Sequence, residues 1–443
     1  MEQRGMNDGG RTIVIVGAGA AGMAAAIAAA EAGGPGVRVV LCEATDRVGR
    51  TVLATGNGRC NFSNARLAWD ATAGAPCGCD LDSCYRNGEF VGRVLAAAEA
   101  AFPPRDALPF AEVGCAVTRF FADHGLLWRE EGEGRLYPLA NKATSVLDVL
   151  RAAMEAAQVE MLTELAVESI VSDPSSGLFR LRASDERELC AHRVIIACGG
   201  ALQPRLAGEL GLPWKLQEPV LGPLAVVAAD KRLTKQLDNI RLRCAATLMR
   251  EGRVVRCERG EVLFRPYGLS GIAVFDLSRQ AQVGDEVVLD LLVAAALPEE
   301  ASLRSRAERS ERIHGVVPTY GDILRGMALP PVARVLCDRA QVDERQPWEP
   351  AGLERLDGVV RGLRFTVEGI GDARQCQVRR GGVAVEALDP ATLEVRKAPG
   401  LFVVGEAVDV DGACGGFNLH WAWSSGLLAG RAAASDAGGQ EVT

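Results

Sequence analysis

A strand, a glycine-rich turn and a helix within residues 13–33, IVIVGAGAAGMAAAIAAAEAG, constrain the fold of this chain most strongly. The β-branched run at 13–16 suits a central parallel strand, and the alanine-rich run that ends near residue 32 suits a helix. Between them lies a G-x-G-x-x-G pattern formed by Gly17, Gly19 and Gly22. Strand, glycine turn and helix in this order predict a Rossmann-type site for a dinucleotide.

The three glycines have separate physical tasks in such a site. The first permits the tight turn, the second lets a pyrophosphate approach the backbone, and the third lets the helix pack close to the strand. The first helical residues, Ala20 and Ala21, supply amide donors and the positive end of the helix dipole. We therefore expect the pyrophosphate to lie at the start of this helix.

Glu43 ends a second alternating apolar run and is predicted to accept a hydrogen bond from a ribose hydroxyl. The sequence TDRVGR follows it, with Arg47, Gly49 and Arg50. This continuation is like the R-x-G-G of flavoproteins of the glutathione-reductase-like type, with an arginine at the second glycine position. A site for a nicotinamide nucleotide alone has no need of it, so the sequence favours FAD.

The stretch TGNGRCNFSN at 55–64 is either a polar surface loop or the floor of a cofactor site. Its position after the dinucleotide motif favours the floor, because the ribityl chain and isoalloxazine of FAD extend beyond the pyrophosphate. Its threonine and glycines are expected to approach FAD, and its arginine and second asparagine to fix the loop or its phosphate edge. The predicted contacts are Thr55, Gly56, Gly58, Arg59, Cys60 and Asn61.

A second half of the site is predicted far along the chain. Residues 401–404 form a buried strand, and the segment DVDGACGGFN at 409–418 leads into a helix. Its aspartate is expected to hydrogen-bond a ribityl hydroxyl. The amides at the helix start are expected to stabilise the negative charge that reduced flavin carries at N1–C2=O. The predicted contacts are Gly405, Glu406, Asp409, Gly416, Phe417 and Asn418.

Two shorter segments complete the predicted site. RVIIACGG at 193–200 is another apolar strand, and it ends at Gly199 and Gly200 where the chain leaves the sheet. Ala166 and Val167 lie where a glutathione-reductase-like fold touches adenine through its backbone, although an ordinary strand explains them equally well.

Four motifs in order resemble a known family. TGNGRCNFSN is similar to the family's T-G-x-G-R-C-N-x-[TS]-N signature, and the other three are GRLYPLANKATSVLDVL (134–150), LFRPYGLSG (263–271) and GLFVVGEAVDVDGACGGFNLHWAWSSGLLAG (400–430). The family comprises bacterial FAD-containing flavoproteins of the aminoacetone-oxidase type, also called NAD(P)/FAD-dependent oxidoreductases. It includes a flavoprotein of bile-acid dehydroxylation pathways.

The resemblance implies an α/β fold, with a Rossmann-like, glutathione-reductase-like FAD domain that is interrupted by an inserted β-barrel-like domain and a small helical unit. The sequence agrees, because short β-type runs separated by turn signals fill 201–290. The expected boundaries are 1–200 and 377–443 for the FAD domain, 201–290 for the barrel, 291–356 for the helical unit and 357–376 for a returning barrel strand.

Candidates for the chemistry are few. Cys60 is either a buried thiol that lines the pocket or a redox or nucleophilic group, and no partner cysteine is near it in the sequence. His420, where the family more commonly has glutamine, either faces the flavin or packs beside Trp421. Tyr267 and Ser270 either reach the substrate or are structural. The barrel motif usually carries a histidine where this chain has Pro266, so that histidine is not the acid here.

The charge and cysteine content exclude several classes. The formal net charge of −8 and the absence of a basic stripe argue against nucleic-acid partners. Thirteen scattered cysteines without a C-x-x-C pair favour reduced thiols in the cytoplasm. The cluster CGCDLDSC, with Cys77, Cys79 and Cys84, fits no zinc spacing, and we expect no metal and no membrane span.

The predicted function is an FAD-dependent oxidoreductase that acts on a small molecule. NAD(P)H is expected to reduce the flavin, and hydride then passes to an unsaturated or carbonyl acceptor or to oxygen. The sequence has no second G-x-G-x-x-G in a strand–helix context, so NAD(P)H is expected to dock transiently. The alternatives are an FAD-dependent oxidase of an amine or hydroxy compound and a non-enzymatic flavin-binding sensor.

Overall fold

The computed structural model describes residues 10–103, 114–173, 175–202, 204–292 and 302–435. The chain divides into two compact units. The first combines Met1–Glu218 with Val378–Thr443, and the second is Pro219–Gln377.

The first unit is built on a five-stranded parallel sheet with the order β21-β12-β1-β2-β8. Five of the six residues of its central strand are buried, because helices cover both faces of such a sheet. The carboxyl ends of the strands meet at one edge, which is where ligands bind in this architecture. The strands are β1 (Arg11–Val16), β2 (Val37–Cys42), β8 (Glu160–Leu162), β12 (Arg193–Ile196) and β21 (Leu401–Val403).

Two helices that begin beside this edge, α1 and α14, pack against each other. Ideal Cβ atoms on Gly426 and Gly430 would lie 2.2 Å from the carbonyl oxygens of Ala21 and Ala25, so the helix backbones nearly touch. The helices of this unit are α1 (Ala20–Gly33), α2 (Arg50–Ala54), α3 (Leu81–Cys84), α4 (Gly88–Ala101), α5 (Ala116–Asp123), α6 (Ala143–Ala156), α7 (Pro204–Glu209) and α14 (Phe417–Ala434).

Small sheets complete the first unit. The three-stranded sheet β3-β7-β6 holds the end of the 55–64 loop. Their strands are β3 (Ser63–Asn64), β4 (Trp69–Asp70), β5 (Ala75–Pro76), β6 (Trp128–Glu131), β7 (Arg135–Pro138), β9 (Val167–Asp173), β10 (Leu178–Ala183) and β11 (Glu188–Ala191). A two-stranded sheet is formed by β13 (Trp214–Val220) and β20 (Val378–Val383).

The second unit is a closed antiparallel barrel with the order β14-β17-β16-β15-β18-β19, accompanied by helices. Its strands are β14 (Leu224–Val226), β15 (Arg241–Arg250), β16 (Arg253–Arg265), β17 (Gly268–Ser270), β18 (Glu286–Asp290) and β19 (Leu363–Ile370). Its helices are α8 (Ala228–Gln236), α9 (Ile272–Ser278), α10 (Leu303–His314), α11 (Tyr320–Leu324), α12 (Pro330–Ala340) and α13 (Pro350–Arg361).

The structure divides the chain differently from the sequence-based boundaries. Residues 201–218 belong to the first unit, whereas they were expected in the barrel. Leu303, Leu336 and Leu356, from the expected helical unit, share one apolar core with the barrel strands, so the helices are not a separate body. The returning strand β19 lies in the barrel as expected, but 357–361 belongs to α13. Charged surface residues had hidden the apolar faces of these helices.

Candidate flavin site

The turn after β1 places the start of α1 beside the neighbouring strands. The amide of Gly17 donates to the carbonyl of Cys42 at 2.8 Å, and the amide of Gly49 donates to the carbonyl of Ala18 at 2.9 Å. An ideal Cβ on Gly22 would lie 1.8 Å from the carbonyl oxygen of Gly17, so this close helix–strand approach requires glycine. Helix α1 begins after Gly19 without a side-chain cap, which leaves the amides of its first turn available to an anion.

Glu43 lies directly beside this turn. One carboxylate oxygen accepts from the amide of Ala18 at 3.0 Å, and the other accepts from the amide and hydroxyl of Thr45. A carboxylate has about four acceptor sites, so one remains for a ribose hydroxyl. The amide of Leu165 donates to the Glu43 carbonyl at 2.9 Å, which places Val167, the first residue of β9, close to the predicted adenine end.

Residues 50–60 form a tightly wound segment. Arg50 is exposed and begins α2. The carbonyl of Thr55 accepts from the amide of Cys60 at 3.1 Å, which closes the loop. Left-handed backbone angles occur at Gly56, Asn57, Gly58 and Cys60, with φ between 55° and 79°. Such angles are costly for residues with side chains, so their concentration here indicates a loop held in shape for a purpose.

Arg59 fixes this loop to the β6–β7 hairpin. Its guanidinium donates to the Asn141 side chain and to the Glu131 carboxylate, and it lies 4.0 Å from the centre of the Tyr137 ring. These contacts lower the pKa of Glu131, chiefly through the hydrogen bond from Arg59. The arrangement matches the expected fixing of the loop, and it engages Arg59 within the protein.

The loop meets the start of α14 at Asn61, Ser63 and Asn64. The Asn64 side-chain amide donates to the carbonyl of Gly415 at 2.9 Å. An ideal Cβ on Gly416 would lie 2.3 Å from the carbonyl oxygen of Ser63 and 2.9 Å from Asn61 Oδ1. The sequence-predicted halves of the site, about 350 residues apart, are therefore in contact.

Helix α14 presents an uncapped N-terminus at this junction. Gly416 is its N-cap residue with a φ of 99°, no side chain caps the first turn, and no acidic residue lies in it. The side chain of Asn418 is used to hold the preceding turn, since it accepts from the amide of Gly412 and donates to the Gly412 carbonyl. The hydroxyl of Tyr85 donates to the carbonyl of Phe417 at 2.8 Å. The amides of Phe417 and Asn418 remain for a ligand.

Three buried side chains of α14 lock the helix to the rest of the site. His420 Nδ1 lies 2.8 Å from the hydroxyl oxygen of Ser63. The indole of Trp421 donates to the carbonyl of Gly405, and the indole of Trp423 donates to that of Phe62. His420 thus packs into the protein beside Trp421, which is one of the two placements left open by the sequence.

The structure does not support the predicted ribityl contact of Asp409. Both of its carboxylate oxygens are engaged, one by Arg86 Nε at 3.0 Å and the other by Lys215 Nζ at 2.9 Å. The side chain has no exposed surface. We therefore assign it a structural role. Its neighbour Asp411 is similarly buried and receives two hydrogen bonds from Arg380.

Glu406 is the carboxylate that lies beside the glycine turn after β12. Its side chain accepts from the amide of Arg379, and an ideal Cβ on Gly200 would lie 3.0 Å from Glu406 Oε1. Gly199, with a φ of 59°, begins this turn. Gly405, just before Glu406, lies against α1, because its ideal Cβ would be 2.9 Å from the Cβ of Ala21. Burial raises the pKa of Glu406.

The side chains predicted to carry chemistry differ in how they are placed. Burial raises the pKa of the Cys60 thiol to about 12, and burial lowers the pKa of His420 to about 3. At neutral pH the thiol is therefore protonated and the imidazole is uncharged, so neither is a strong nucleophile or acid. Tyr267 and Ser270 lie in the barrel unit, and the Tyr267 hydroxyl is buried without a hydrogen-bond partner among the described residues.

Sequence reasoning missed a group that supports the C-terminal loop. Three consecutive residues donate hydrogen bonds to it. The hydroxyl of Tyr85 donates to the carbonyl of Phe417, and the guanidinium of Arg86 donates to the Asp409 carboxylate. The side-chain amide of Asn87 donates to the backbone carbonyl of Asp409. They directly follow the cysteine cluster at 77–84. No local signal in the sequence marks these residues, because their partners lie more than 300 positions away. Among the described residues, no His, Cys, Asp and Glu group is arranged to hold a metal ion.

The geometry of these residues fits FAD. Two helix N-termini, those of α1 and α14, are uncapped by side chains within one unit, as a pyrophosphate and an isoalloxazine require. The buried side-chain oxygen of Asn61, Oδ1, lies beside the start of α14 and has no hydrogen-bond partner among the described residues. The fold and site define a Rossmann-type flavoprotein oxidoreductase.

The chain belongs to the HI0933-like family, because residues 113–432 match the HI0933-like protein Rossmann domain. Residues 15–63 also match the NAD(P)-binding Rossmann-like domain. These matches and the relatives below confirm the predicted family, the fold class and the assignment as an FAD-dependent oxidoreductase. A non-enzymatic sensor is therefore no longer an alternative.

The chain is similar from end to end to curated relatives. It is 32% identical to the 3-dehydro-bile acid delta(4,6)-reductase of Clostridium scindens, covering 95% of this chain and 98% of the relative. It is 27% identical to the ribosomal RNA dihydrouridine synthase of Escherichia coli, covering 93% and 95%. A synthase of the same name from Haemophilus influenzae is 24% identical, covering 93% and 96%.

Two solved structures align with most of this chain at low TM-scores. A 3-ketosteroid-delta4-(5alpha)-dehydrogenase from Rhodococcus jostii RHA1 gives a TM-score of 0.43 at 15% identity, covering 97% of this chain and 98% of that one. A flavocytochrome c3 fumarate reductase gives a TM-score of 0.45 at 13% identity, covering 96% and 78%. No described helix is both long and apolar enough to span a membrane.

Proposed function

We propose that this FAD-dependent oxidoreductase reduces a carbon–carbon double bond next to a carbonyl group in a small apolar molecule, with NADH or NADPH as electron donor. The end-to-end similarity to a delta(4,6)-reductase of a 3-dehydro bile acid carries the proposal. That name denotes reduction of ring double bonds in an oxidised sterol-type skeleton. Dihydrouridine synthase, the name of the other relatives, also denotes saturation of a ring double bond beside a carbonyl.

FAD would supply a site that accepts hydride from a nicotinamide and passes it on. The residues of this chain would bind and orient it. The first turn of α1 would hold the pyrophosphate, Glu43 a ribose hydroxyl, and the first turn of α14 the N1–C2=O edge. The 55–60 loop and the glycine turn at 199–200 would line the path between them. These contacts, and the transient docking of the nicotinamide, are parts of the proposal.

Saturation of a double bond also consumes a proton. Cys60 and His420 are poorly suited to supply it, because burial raises the pKa of the thiol to about 12 and lowers the pKa of the imidazole to about 3.

A second candidate is reduction of uracil in RNA, which the two dihydrouridine synthase relatives favour. A substrate of this kind needs a surface that attracts phosphates, and binding to it weakens steeply with salt. The net charge of −8 disfavours it. We therefore prefer a small molecule as the substrate. The proposal includes a cytoplasmic location, where NADH and NADPH are available.

The test compares acceptors under anaerobic conditions with the purified holoenzyme. Flavin reduction by NADH and by NADPH is followed first, and conjugated 3-oxo steroids, ribosomal RNA transcripts and an amine panel are then offered. The proposal expects reoxidation by the enones with a product that has gained two hydrogens. Reduction of RNA alone would support the second candidate. Flavin reduction by an amine, without any by NAD(P)H, would instead indicate the oxidase alternative.

A further inference from the structure

The side-chain oxygen of Asn61 is a buried acceptor that the described chain does not use. Asn61 is 9% exposed, and its Oδ1 has no hydrogen-bond partner among the described residues. An unpaired buried carbonyl oxygen costs about 1–3 kcal/mol, and such atoms are rare in folded proteins. An acceptor maintained at this cost, in a loop with a strained backbone, indicates a donor that comes from a ligand.

The position of Asn61 is fixed from two sides by glycines. An ideal Cβ on Gly56 would lie 2.9 Å from the backbone nitrogen of Asn61, and one on Gly416 would lie 2.9 Å from Asn61 Oδ1. Any side chain at these positions would displace the asparagine. The free oxygen is therefore held beside the N-cap residue of α14.

The start of α14 supplies donors next to this acceptor. The helix spans 18 residues, and its first turn has neither a side-chain cap nor an acidic residue. Its leading amides have no partner within the helix. The Asn64 side chain holds the carbonyl of Gly415 at 2.9 Å, which fixes the peptide just before the helix. One acceptor and several donors thus converge on a single location.

This pattern matches one edge of the FAD isoalloxazine. The pyrimidine ring presents two acceptors, N1 and the C2 carbonyl, followed by the donor N3–H. Resting on the flavin placement in the proposed function, we infer that Asn61 Oδ1 accepts a hydrogen bond from N3–H, while the amides of the α14 first turn donate to the neighbouring C2 carbonyl. Asn61 is then a cofactor-recognition residue at the reactive ring, whereas the sequence led us to expect that it fixes the loop or its phosphate edge.

The inference separates affinity from reduction potential. N3–H is present in both oxidised and reduced flavin, so a bond to it strengthens binding of both forms about equally. The helix amides act on the charge that forms at N1–C2=O on reduction. Loss of the Asn61 acceptor should therefore weaken FAD binding by roughly tenfold or more, as for an unpaired donor, with little change in midpoint potential.

The test uses apoprotein that is titrated with FAD and with 3-methyl-FAD, which lacks the N3 proton. Flavin fluorescence reports binding. We expect the wild-type protein to prefer FAD by roughly tenfold or more, and Asn61→Leu to lose most of that preference. Asn61→Asp retains a side-chain acceptor and should keep the preference for FAD over 3-methyl-FAD. Asn239→Asp makes the same change at an exposed position in the barrel unit and should behave as wild type.

Two results would overturn the inference: equal affinity of the wild-type protein for both flavins, or an undiminished preference in Asn61→Leu. A large shift in midpoint potential in that variant would also contradict it, because it would place the contact at N5–H, which exists only after reduction. If Asn61→Leu does not fold, the inference is still tested by the ratio of the affinities for FAD and 3-methyl-FAD in the wild-type protein and in Asn61→Asp. Failure of the wild type to bind FAD at all would contradict the assignment of the cofactor itself.

Discussion

At the scale of single residues, the 55–60 loop is the least ordinary part of the site, because Gly56, Asn57, Gly58 and Cys60 all have left-handed backbone angles. Gly58 has a φ of 79°, and the nearest protein atom to its ideal Cβ is the Leu53 carbonyl oxygen at 3.9 Å. The protein thus leaves open the space that a side chain here would fill. Our account assigns that space to FAD.

Gly58→Val is therefore expected to weaken FAD binding strongly, by well over the roughly tenfold that backbone strain of about 1–2 kcal/mol explains. The matched control is Gly252→Val. Gly252 has a φ of 76° with no atom within 4 Å of its ideal Cβ, and it lies in the β15–β16 turn. Isothermal titration of both apoproteins with FAD, alongside urea unfolding, separates strain from lost cofactor contact. Equal FAD affinities in the two variants would contradict the account.

Cys60→Ser tests whether the thiol of the 55–64 motif takes part in chemistry. The thiol is fully buried, and burial raises its pKa to about 12, so it is almost entirely protonated at neutral pH. We expect bound FAD per chain to be unchanged and turnover to fall by less than about threefold. The visible flavin spectrum and steady-state rates measure both. Loss of turnover with FAD still bound would show that Cys60 is not a passive lining residue.

At the scale of elements, contact between α1 and α14 sets the distance between the two halves of the site. Gly430 lies where its ideal Cβ would be 2.2 Å from the carbonyl oxygen of Ala25. Gly430→Ala should push the helices apart and lower the free energy of unfolding by about 1–3 kcal/mol, with weaker FAD binding. Urea unfolding and FAD titration measure the two effects.

Gly358→Ala is the control for this change. It is exposed in helix α13, and no atom lies within 4 Å of its ideal Cβ. There, alanine should raise stability by about 0.5–1 kcal/mol, because glycine is a poor helix former. A destabilising effect of the same size at both positions would contradict the close α1–α14 contact as the cause of the result at Gly430.

Elements marked by local signals were predictable from the sequence. The strand–turn–helix around Gly17 and the strand–loop–helix around Gly416 each lie within one short segment, so spacing and residue type reveal them. The role of Asp409 was not predictable, because its partners Arg86 and Lys215 are 323 and 194 positions away. In the sequence alone, a carboxylate in a glycine-rich loop is easily interpreted as free to bind a ligand, because its distant ion-pair partners are not apparent.

At the scale of the whole molecule, buried thiols make stability depend on alkaline pH. Burial raises the pKa of Cys42, Cys60 and Cys244 to about 12, whereas an unfolded thiol titrates near 8.5. The neutral form is favoured in the fold, so this contribution is fully present below about pH 8.5 and is lost as pH rises towards 12. Each thiol should remove on the order of 1 kcal/mol per pH unit within that window.

Urea unfolding at several pH values between neutral and strongly alkaline tests this expectation. Cys244→Ala should show a shallower decline in unfolding free energy with pH than the wild-type protein, although the substitution lowers stability at neutral pH. Parallel pH profiles for the two proteins would contradict the assignment of the decline to buried thiols.

The division into two units was only partly predictable. The β-type runs of the barrel were visible, yet the charged sequence of 291–356 concealed that Leu336 and Leu356 pack into the barrel core. A hydrophobic face spread over several helices has no signature within any one of them. Likewise, the resemblance to a family indicated FAD, but the unpaired acceptor at Asn61 could be found only in three dimensions.

We propose that this chain uses FAD to transfer hydride from NAD(P)H to a conjugated double bond. The most direct measurement is anaerobic stopped-flow absorbance of the purified holoenzyme, first mixed with NADH or NADPH and then with a conjugated 3-oxo steroid. The account predicts bleaching of the flavin band by the nicotinamide, its return on addition of the enone, and a steroid product that has gained two hydrogens. A flavin that NAD(P)H reduces but that no enone reoxidises would contradict the proposed reaction, and a purified protein that binds no FAD would contradict the whole account.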